Sequence, residues 1–153
     1  MKVDALEGTV PFFQMPVSAV DYAAFESALQ HRQPQRARLN RVYVQLDNRG
    51  FQPATGVNVK LLWAEASAAL PNLPADFWTA FPADSSDTTL WHPVGAAQTI
   101  ASFKPGIPVV LEWDWTPPAS AAEHSCMLVV IDSAFGSDSR PESGISPEYA
   151  GAE

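Results

Sequence analysis

Catalytic chemistry would need reactive side chains in a recognisable pattern, and this 153-residue chain holds three histidines and one cysteine. His31, His92 and His124 are isolated from one another, so no H-x-x-x-H or H-E-x-x-H metal pattern arises. The sequence also lacks a G-x-S-x-G nucleophile elbow and a glycine-rich phosphate loop. Cys126 has no second cysteine with which to form an intramolecular disulfide or a multi-cysteine zinc site. These observations predict a protein that is not an enzyme and binds no cofactor.

Oxygen-bearing side chains gather in two segments, and such side chains are the ligands that calcium prefers. The first segment holds Asp84, Ser85, Ser86 and Asp87, and the second holds Asp132, Ser133, Ser137 and Asp138. Neither segment matches the loop of an EF-hand. Solvated turns rich in aspartate and serine are far commoner than calcium sites, so we predict no bound metal and keep calcium as an alternative ligand.

Five tryptophans offer a second kind of ligand site, because a flat indole ring with a polar edge can stack against a sugar. Trp63, Trp113 and Trp115 share the apolar phase of predicted strands, which predicts that they lie in the core. Trp78 and Trp91 lie in predicted loops and remain free to be exposed. They are the candidates for a carbohydrate platform, although loop aromatics more often pack over one end of a fold.

The charges are unevenly distributed along the chain, which has 17 acidic residues, 9 basic residues and a net charge of −8. From residue 105 onward, eight acidic residues stand against Arg140 alone. A nucleic-acid partner is disfavoured, because phosphate binding needs a cationic surface. No segment approaches the roughly 20 apolar residues of a membrane span. Asp4 and Glu7 interrupt the apolar stretch that a signal peptide needs, so the expected location is the cytoplasm unless the chain belongs to a longer exported protein.

Basic residues concentrate in one short stretch that holds Arg32, Arg36, Arg38 and Arg41. Arg32, Arg36 and Arg38 are candidate interaction residues, because the stretch could bind an acidic protein surface. The favoured interpretation is that the stretch is a solvated segment leading into the first predicted strand, since exposed ion pairs contribute little to binding or stability. Together with the acidic final third, the arginines could also allow copies of the chain to associate head to tail.

Residues 1–37 are predicted to form an N-terminal arm followed by one short helix. The arm includes residues 9–16, TVPFFQMP, which are apolar but bracketed by prolines. Proline cannot donate to a sheet ladder, so this pattern favours an edge strand or an extended arm. Phe12 and Phe13 are its candidate interaction residues.

The predicted helix covers about residues 19–31. Ser18 and Asp21 form an S-x-x-D pattern, which is typical of a helix start. Apolar side chains then recur at helical spacing on one face, and the helix must end before Pro34.

Residues 38–133 change to a period of two, the spacing of strands with one buried face. The predicted strands cover approximately residues 42–46, 55–66, 98–103, 107–115 and 124–132. In the second strand, Asn58 and Lys60 are predicted to face the opposite way from the alternating apolar residues. Residues 65–96 are predicted to hold packed loops and short edge strands. The last strand is apolar on both faces, which is typical of a central strand, and Cys126 within it is predicted to be a small core residue. These elements predict an all-β fold, an immunoglobulin-like β-sandwich with one short N-terminal helix.

A resemblance to a known family rests on four stretches, NRVYVQLDNRG, ATGVNVKLLWAE, FKPGIPVVLEWDWTPP and HSCMLVVIDS. In this order they resemble the bacterial immunoglobulin-like domains of the CARDB type, the cell-adhesion-related domain found in bacteria, over about residues 38–133. Shared features include an Asn-x-Gly turn, a Pro-Gly turn into a strand closed by Trp-Thr-Pro-Pro, and a final apolar strand that ends in Asp-Ser. The resemblance implies an accessory sandwich module without catalytic residues.

The chain departs from the family pattern in two places. The predicted helix stands where the family has a short opening strand, and residues 134–153, predicted as an acidic flexible tail, offer no strand to close the sandwich. Either the natural chain continues beyond Glu153, or the sandwich is open on that edge. An open sheet edge presents unpaired N–H and C=O groups that another chain could complete by strand addition. We therefore expect a non-enzymatic interaction or structural module that binds a protein partner or further copies of itself. The alternative is a carbohydrate- or calcium-binding accessory module of a secreted protein.

Overall fold

Antiparallel strands make up most of the regular structure in a computed structural model of the chain, which describes residues 1–5, 21–65 and 70–133. The described strands are β1 (Lys2–Ala5), β2 (Asn40–Leu46), β3 (Ala54–Glu65), β4 (His92–Pro93), β5 (Gln98–Phe103), β6 (Val109–Trp115) and β7 (Ser125–Ser133). The described helices are α1 (Tyr22–Ser27) and α2 (Phe77–Ala80). The predicted all-β class is confirmed, and the five predicted strands correspond to β2, β3, β5, β6 and β7.

The strands form two sheets, one in each of two compact units. The first unit comprises Met1–Phe51 and Pro105–Ala121, and the second comprises Gln52–Lys104 and Ala122–Glu153. The sheet of the first unit has the order β1-β2-β6. In the second unit, β3 pairs with β4, β5 and β7. The stretch of β3 that pairs with β7 also pairs with β4 and β5, so β7 lies along one edge of β3 and the other two strands lie along the opposite edge.

β1 and α2 are absent from the sequence prediction. β1 has four residues, too few for an alternating pattern to show, and its antiparallel pairing with β2 holds it in the sheet. α2 is also four residues long and lies in the segment predicted as packed loops. The predicted arm falls in residues 6–20, so Phe12 and Phe13 lie outside the described residues.

α1 is shorter than the helix predicted over residues 19–31. Asp21 is its N-cap residue, and the Asp21 carboxylate accepts a hydrogen bond from the backbone N–H of Ala24 at 2.8 Å. Within the described part of the chain, no helix is long and apolar enough to cross a membrane.

The Lys2 side chain binds the C-terminal end of α1. Its ammonium group donates to the carbonyl oxygens of Phe25 and Leu29, at 2.7 Å for Leu29, and it lies 4.7 Å from the centre of the Phe25 ring. A cation at the end of a helix satisfies carbonyl groups that have no partner within the helix. Phe25 and Leu29 pack against Tyr43 and Val110, so α1 covers one face of the first sheet.

Asn40 joins two segments of the first unit, the stretch before β2 and the end of β6. Its Oδ1 accepts a hydrogen bond from the Gln35 N–H at 2.8 Å, and its Nδ2 donates to the carbonyl oxygens of Gln35, Arg38 and Trp115 at 2.9, 2.9 and 3.3 Å. Asn40 is fully buried, and its hydrogen bond to the Trp115 carbonyl is buried with it, whereas the bonds to Gln35 and Arg38 are part-buried.

We expect Asn40→Ala to lower the free energy of unfolding by about 2–4 kcal/mol, because it removes one buried and three part-buried hydrogen bonds to the backbone. Chemical denaturation measures this loss. Asn72→Ala, at an exposed position, is the matched control and should change stability by less than about 0.5 kcal/mol. Equal effects of the two substitutions would show that the Asn40 hydrogen bonds contribute no net stability.

The tryptophans and turns follow the sequence prediction closely. The buried tryptophans of the predicted strands are Trp63, Trp113 and Trp115. At the predicted Asn-x-Gly turn, the Asn48 side chain accepts a hydrogen bond from the Gly50 N–H at 2.8 Å. At the predicted Pro-Gly turn, Gly106 has φ +68°, a left-handed conformation that favours glycine.

β3 is buried on both faces along its second half, including the face on which the sequence places Lys60. Lys60 is 1% exposed. On the same face, Leu62 packs with Val130 of β7 and with Phe77 and Trp91 from the segment between β3 and β5. The alternation of residue types separates the two faces of a strand, but it does not reveal that a distant segment folds over the polar one.

Candidate functional site

The outer edge of β7 is the candidate interaction site. β7 pairs with β3 over nine residues, from Val57 opposite Ser133 to Glu65 opposite Ser125. Among the described residues it pairs with no other strand, so β7 lies at an edge of the described sheet and not at the central position predicted for it. The apolar sequence of β7 is explained by its place beside the buried strand β3, with Val130 packed in the apolar cluster of the second sheet. The outer edge of β7 has no described partner.

The hydrogen bonds of β3 determine where the backbone groups of β7 point. The Leu61 carbonyl accepts a hydrogen bond from the Val94 N–H at 2.9 Å, so Leu61 directs its backbone groups toward β4. In an antiparallel ladder, successive residues direct these groups to alternate sides. Val129 lies opposite Leu61 and therefore directs its N–H and C=O away from β3. By the same alternation, Met127 and Ile131 also direct their backbone groups outward.

The two edge strands of the first sheet, β1 and β6, carry protection that the described part of the chain does not give to β7. On β1, the Val3 N–H donates to Nδ1 of His31 at 3.1 Å, and the Val3 carbonyl accepts from the Arg32 N–H at 2.8 Å. β6 contains two acidic residues, which disfavour edge-to-edge pairing. The stretch from Ser125 to Ile131 contains no charged residue and no proline, the usual devices that protect an edge.

The side chains of β7 are only partly covered. Residues 125–129 are half-buried, and Ile131 is 39% exposed although it is a large apolar residue. Cys126 is half-buried as well, so its predicted place in the core is wrong. An apolar strand with this exposure is suited to further pairing with an extended segment.

A buried cation holds the segment that covers β3. The Lys60 ammonium donates to the carbonyl oxygens of Pro82, at 3.1 Å, and Ala83, and it lies 2.7 Å from Oδ1 of Asp84. The Asp84 side chain is 58% exposed, whereas that of Lys60 is 2% exposed. The lysine therefore depends on this one carboxylate for charge compensation, while the carboxylate can also be hydrated.

The two candidate tryptophans have different environments. Trp78 is 39% exposed, and its ring contacts those of Phe77 and Phe81, with centroid distances of 5.1 and 6.4 Å. Trp91 is 4% exposed and its indole N–H donates to the Pro71 carbonyl at 2.9 Å, so this candidate ring is buried. The structure does not present the two rings as one exposed platform.

A cavity of about 10 Å³ lies beside Lys60 and is also lined by Phe77, Thr88 and Trp91. This volume is close to the space that one water molecule needs. It is too small for a sugar ring, so a carbohydrate would have to bind on the outer surface at Trp78.

The aspartates of the first predicted calcium segment are engaged by the chain itself. Asp84 pairs with Lys60, and Asp87 accepts hydrogen bonds from the N–H and hydroxyl of Thr89, at 2.9 and 2.7 Å. These bonds lower the pKa of Asp87. No group of three or more histidine, cysteine or acidic residues within the described part of the chain could hold a metal ion. Ser137 and Asp138 of the second segment lie outside the described residues.

Asp84→Asn should lower the free energy of unfolding by about 1–3 kcal/mol, because it leaves the buried Lys60 ammonium without a compensating charge. The same substitution in a Lys60→Met background should cost almost nothing, since no ammonium remains to be compensated. Chemical denaturation of the four proteins measures this coupling. Equal costs in both backgrounds would contradict the assigned role of Asp84.

The arginine stretch is used largely within its own unit. Arg32 lies 3.9 Å from the fully buried carboxylate of Asp4, and Arg41 Nε donates to Asp114 at 2.8 Å. Arg38 is half-buried, and Arg36 is exposed. The predicted interaction residues Arg32, Arg36 and Arg38 therefore do not form one equally exposed cationic patch.

The histidines occupy three separate environments. His31 accepts the hydrogen bond from Val3 described above, and His124 is exposed. The His92 ring stacks on Trp63 with a centroid distance of 4.6 Å and an interplanar angle of 27°.

Glu112 and Tyr43 face each other across β2 and β6. Partial burial raises the pKa of Glu112, with the nearby Asp114 carboxylate adding to the effect and the Arg41 guanidinium opposing it. Burial also raises the pKa of the Tyr43 hydroxyl. Ionised Glu112 therefore costs stability near neutral pH.

A pH-dependent effect follows from Glu112. A pKa raised on folding contributes stability that is complete below the unfolded value, about 4.3, and is lost as the pH rises through the folded value. Glu112→Gln should therefore increase the free energy of unfolding at pH 7 relative to the native chain, and the gain should vanish below about pH 4. Denaturation curves at both pH values test this. Glu123→Gln, at an exposed position, should show no such difference, and a gain at low pH only would contradict the assignment.

Two features of this region were missed by the sequence analysis. In the sequence, Lys60 lies on the polar face of its strand and looks like a solvated residue. Only the carbonyl groups and the carboxylate around it show that it holds the covering segment in place. An open edge was predicted because the sequence of residues 134–153 has no strand pattern. Its position on β7 was not predicted, because β7 has the apolar pattern of a central strand. The uncharged run from Ser125 to Ile131 is the signal that could have marked it.

Comparison with known protein families, with curated proteins and with solved structures finds no match for this chain.

Proposed function

We propose that the chain is a non-enzymatic protein–protein interaction module that acquires an additional β-strand from another chain along the outer edge of β7. We propose further that its fold is of the immunoglobulin-like type, similar to the CARDB domains. The strand pairing supports the immunoglobulin-like fold. β2 pairs with β6 in the first sheet, and β3 pairs with β7 in the second. The chain therefore changes sheet between β2 and β3 and again between β6 and β7. Greek-key sandwiches have the same pattern of pairing.

The observation that carries the functional proposal is the unprotected edge of β7. Its outward N–H and C=O groups at Met127, Val129 and Ile131 can form a ladder with an extended segment, and main-chain hydrogen bonds supply affinity in strand addition. The apolar side chains of the strand would gain burial in the same step.

The chain itself contains two segments that could occupy this edge: the predicted arm at residues 9–16 and β7 of another copy. Charge pairing between copies is the weaker driving force, because Arg41 already pairs with Asp114, and Arg32 lies near Asp4, in the same unit. Association through an apolar strand should persist at high salt, whereas head-to-tail charge pairing should weaken.

Carbohydrate binding is a less favoured function. Trp78 is the one candidate ring that remains exposed, since Trp91 is buried. A sugar platform would therefore depend on a single tryptophan and the half-buried Phe81 beside it.

Amide hydrogen exchange at increasing protein concentration tests strand addition. In the dilute monomer, the outward amides of Met127, Val129 and Ile131 should exchange rapidly, while those of Leu128 and Val130 are protected by β3. At high concentration, the outward amides should become protected. Protection already present in the dilute monomer, or none at the highest concentration, would overturn the proposal.

Ile131→Lys should abolish the concentration-dependent association, because a lysine on an edge strand disfavours pairing with another strand. The mass in solution should then stay at 16.5 kDa, measured by light scattering. Ile107→Lys makes the same change at another exposed isoleucine, one that is 56% exposed in the first unit, and should leave association unaltered. If the two variants associate equally well, β7 is not the contact.

A further inference from the structure

We infer that the segment on the β7 edge is β7 of a second copy of this chain, paired antiparallel about a twofold axis at Val129. This inference rests on the proposed function and names the partner and its register. The pairing would join two copies of the second sheet into one continuous sheet, and each copy would contribute the same surface, as a twofold dimer requires.

Backbone geometry restricts the register. The outward groups lie on the odd-numbered residues of β7, and a hydrogen-bonded ladder needs outward residues to face each other. Around a twofold axis, this condition is met when Val129 faces Val129 of the other copy. Met127 then faces Ile131, and Ser125 faces Ser133.

The sequence of β7 is symmetric in polarity about Val129 in three of its four residue pairs, the exception being Cys126 with Asp132. In this register, Met127 faces Ile131 and Leu128 faces Val130, so apolar residues meet at the centre. The polar residues meet at the two ends, where serines face each other. A shift by one repeat, with Val129 facing Met127, would place Ser125 opposite Ile131 and lose this match. The self-complementary pattern therefore favours a second copy of β7 over the proline-bracketed arm at residues 9–16.

Charge does not oppose this pairing. Asp132 is the only charged residue of β7, and in this register it faces Cys126 of the other copy. The two Asp132 carboxylates lie at opposite ends of the ladder, about 20 Å apart for six residues of strand, so their mutual repulsion is screened. Cys126 likewise lies far from its counterpart, and the native dimer should contain no intermolecular disulfide.

Cysteine cross-linking in the full chain, with Cys126→Ala as the background, tests the register. Val129→Cys should form a disulfide-linked dimer under mild oxidation, because residues facing each other in a hydrogen-bonded pair have Cα atoms about 5.5 Å apart, within disulfide range. Ile131→Cys is the matched control on the same strand. Its counterpart lies four residues away, about 14 Å, so its dimer yield should be about tenfold lower or less.

A mixture provides a second test that does not depend on Val129. Met127→Cys chains and Ile131→Cys chains should each remain unlinked alone, and should form a mixed disulfide when combined. Non-reducing electrophoresis reads the products, and thermal denaturation verifies that each variant is folded.

The outcomes separate this inference from the proposed function. Linked Val129→Cys dimers and the mixed disulfide support the twofold register. If neither forms while the outward β7 amides still gain protection with concentration, another segment fills the edge and the inference is wrong, although strand addition stands. Loss of that protection in a Phe12→Ser, Phe13→Ser variant would then identify the arm as the donor. If no protection develops at any concentration, both the inference and the proposed function are wrong.

Discussion

The pairing of β3 with β7 is the constraint on which the second unit depends. β3 is the longest described strand, and it is buried over most of its length, so its backbone groups need partners along both edges. β4 and β5 satisfy one edge between them, and β7 satisfies the other over nine residues. The apolar sequence of β7 is therefore required by its inner contacts. The same uncharged residues also form the outer edge of β7, and the lack of charge leaves this edge available to another strand.

Lys60 shows how the second face of this sheet is covered. The segment between β3 and β5 contributes Phe77 and Trp91 to an apolar cluster on that face, and the Lys60 ammonium binds the backbone of the same segment. A lysine at this position satisfies carbonyl groups that a purely apolar face would leave without partners. The same arrangement buries Trp91 and pairs Asp84 with Lys60. These contacts argue against sugar stacking on Trp91 and against calcium binding by Asp84.

The first unit is organised by polar contacts of a different kind. Asn40 binds backbone groups of two segments, the stretch before β2 and the end of β6, and Lys2 ties β1 to the end of α1. Its arginines neutralise carboxylates of the same unit, and the outer edge of β1 is occupied by His31 and Arg32. Among the described residues, the outer edge of β1 is protected and the outer edge of β7 is not, and this contrast is the physical basis for placing the interaction on the second sheet.

The sequence by itself determined the strands with clear alternation, the two glycine turns and the burial of three tryptophans, because these depend on local pattern and side-chain polarity. Only the tertiary structure decided that Lys60 is buried, that Trp91 is covered and that β7 lies at an edge. Each of these facts depends on which distant segment lies beside a strand. The periodicity of a strand reports that its two faces differ, but it contains no information about which edge is paired or what folds over the polar face.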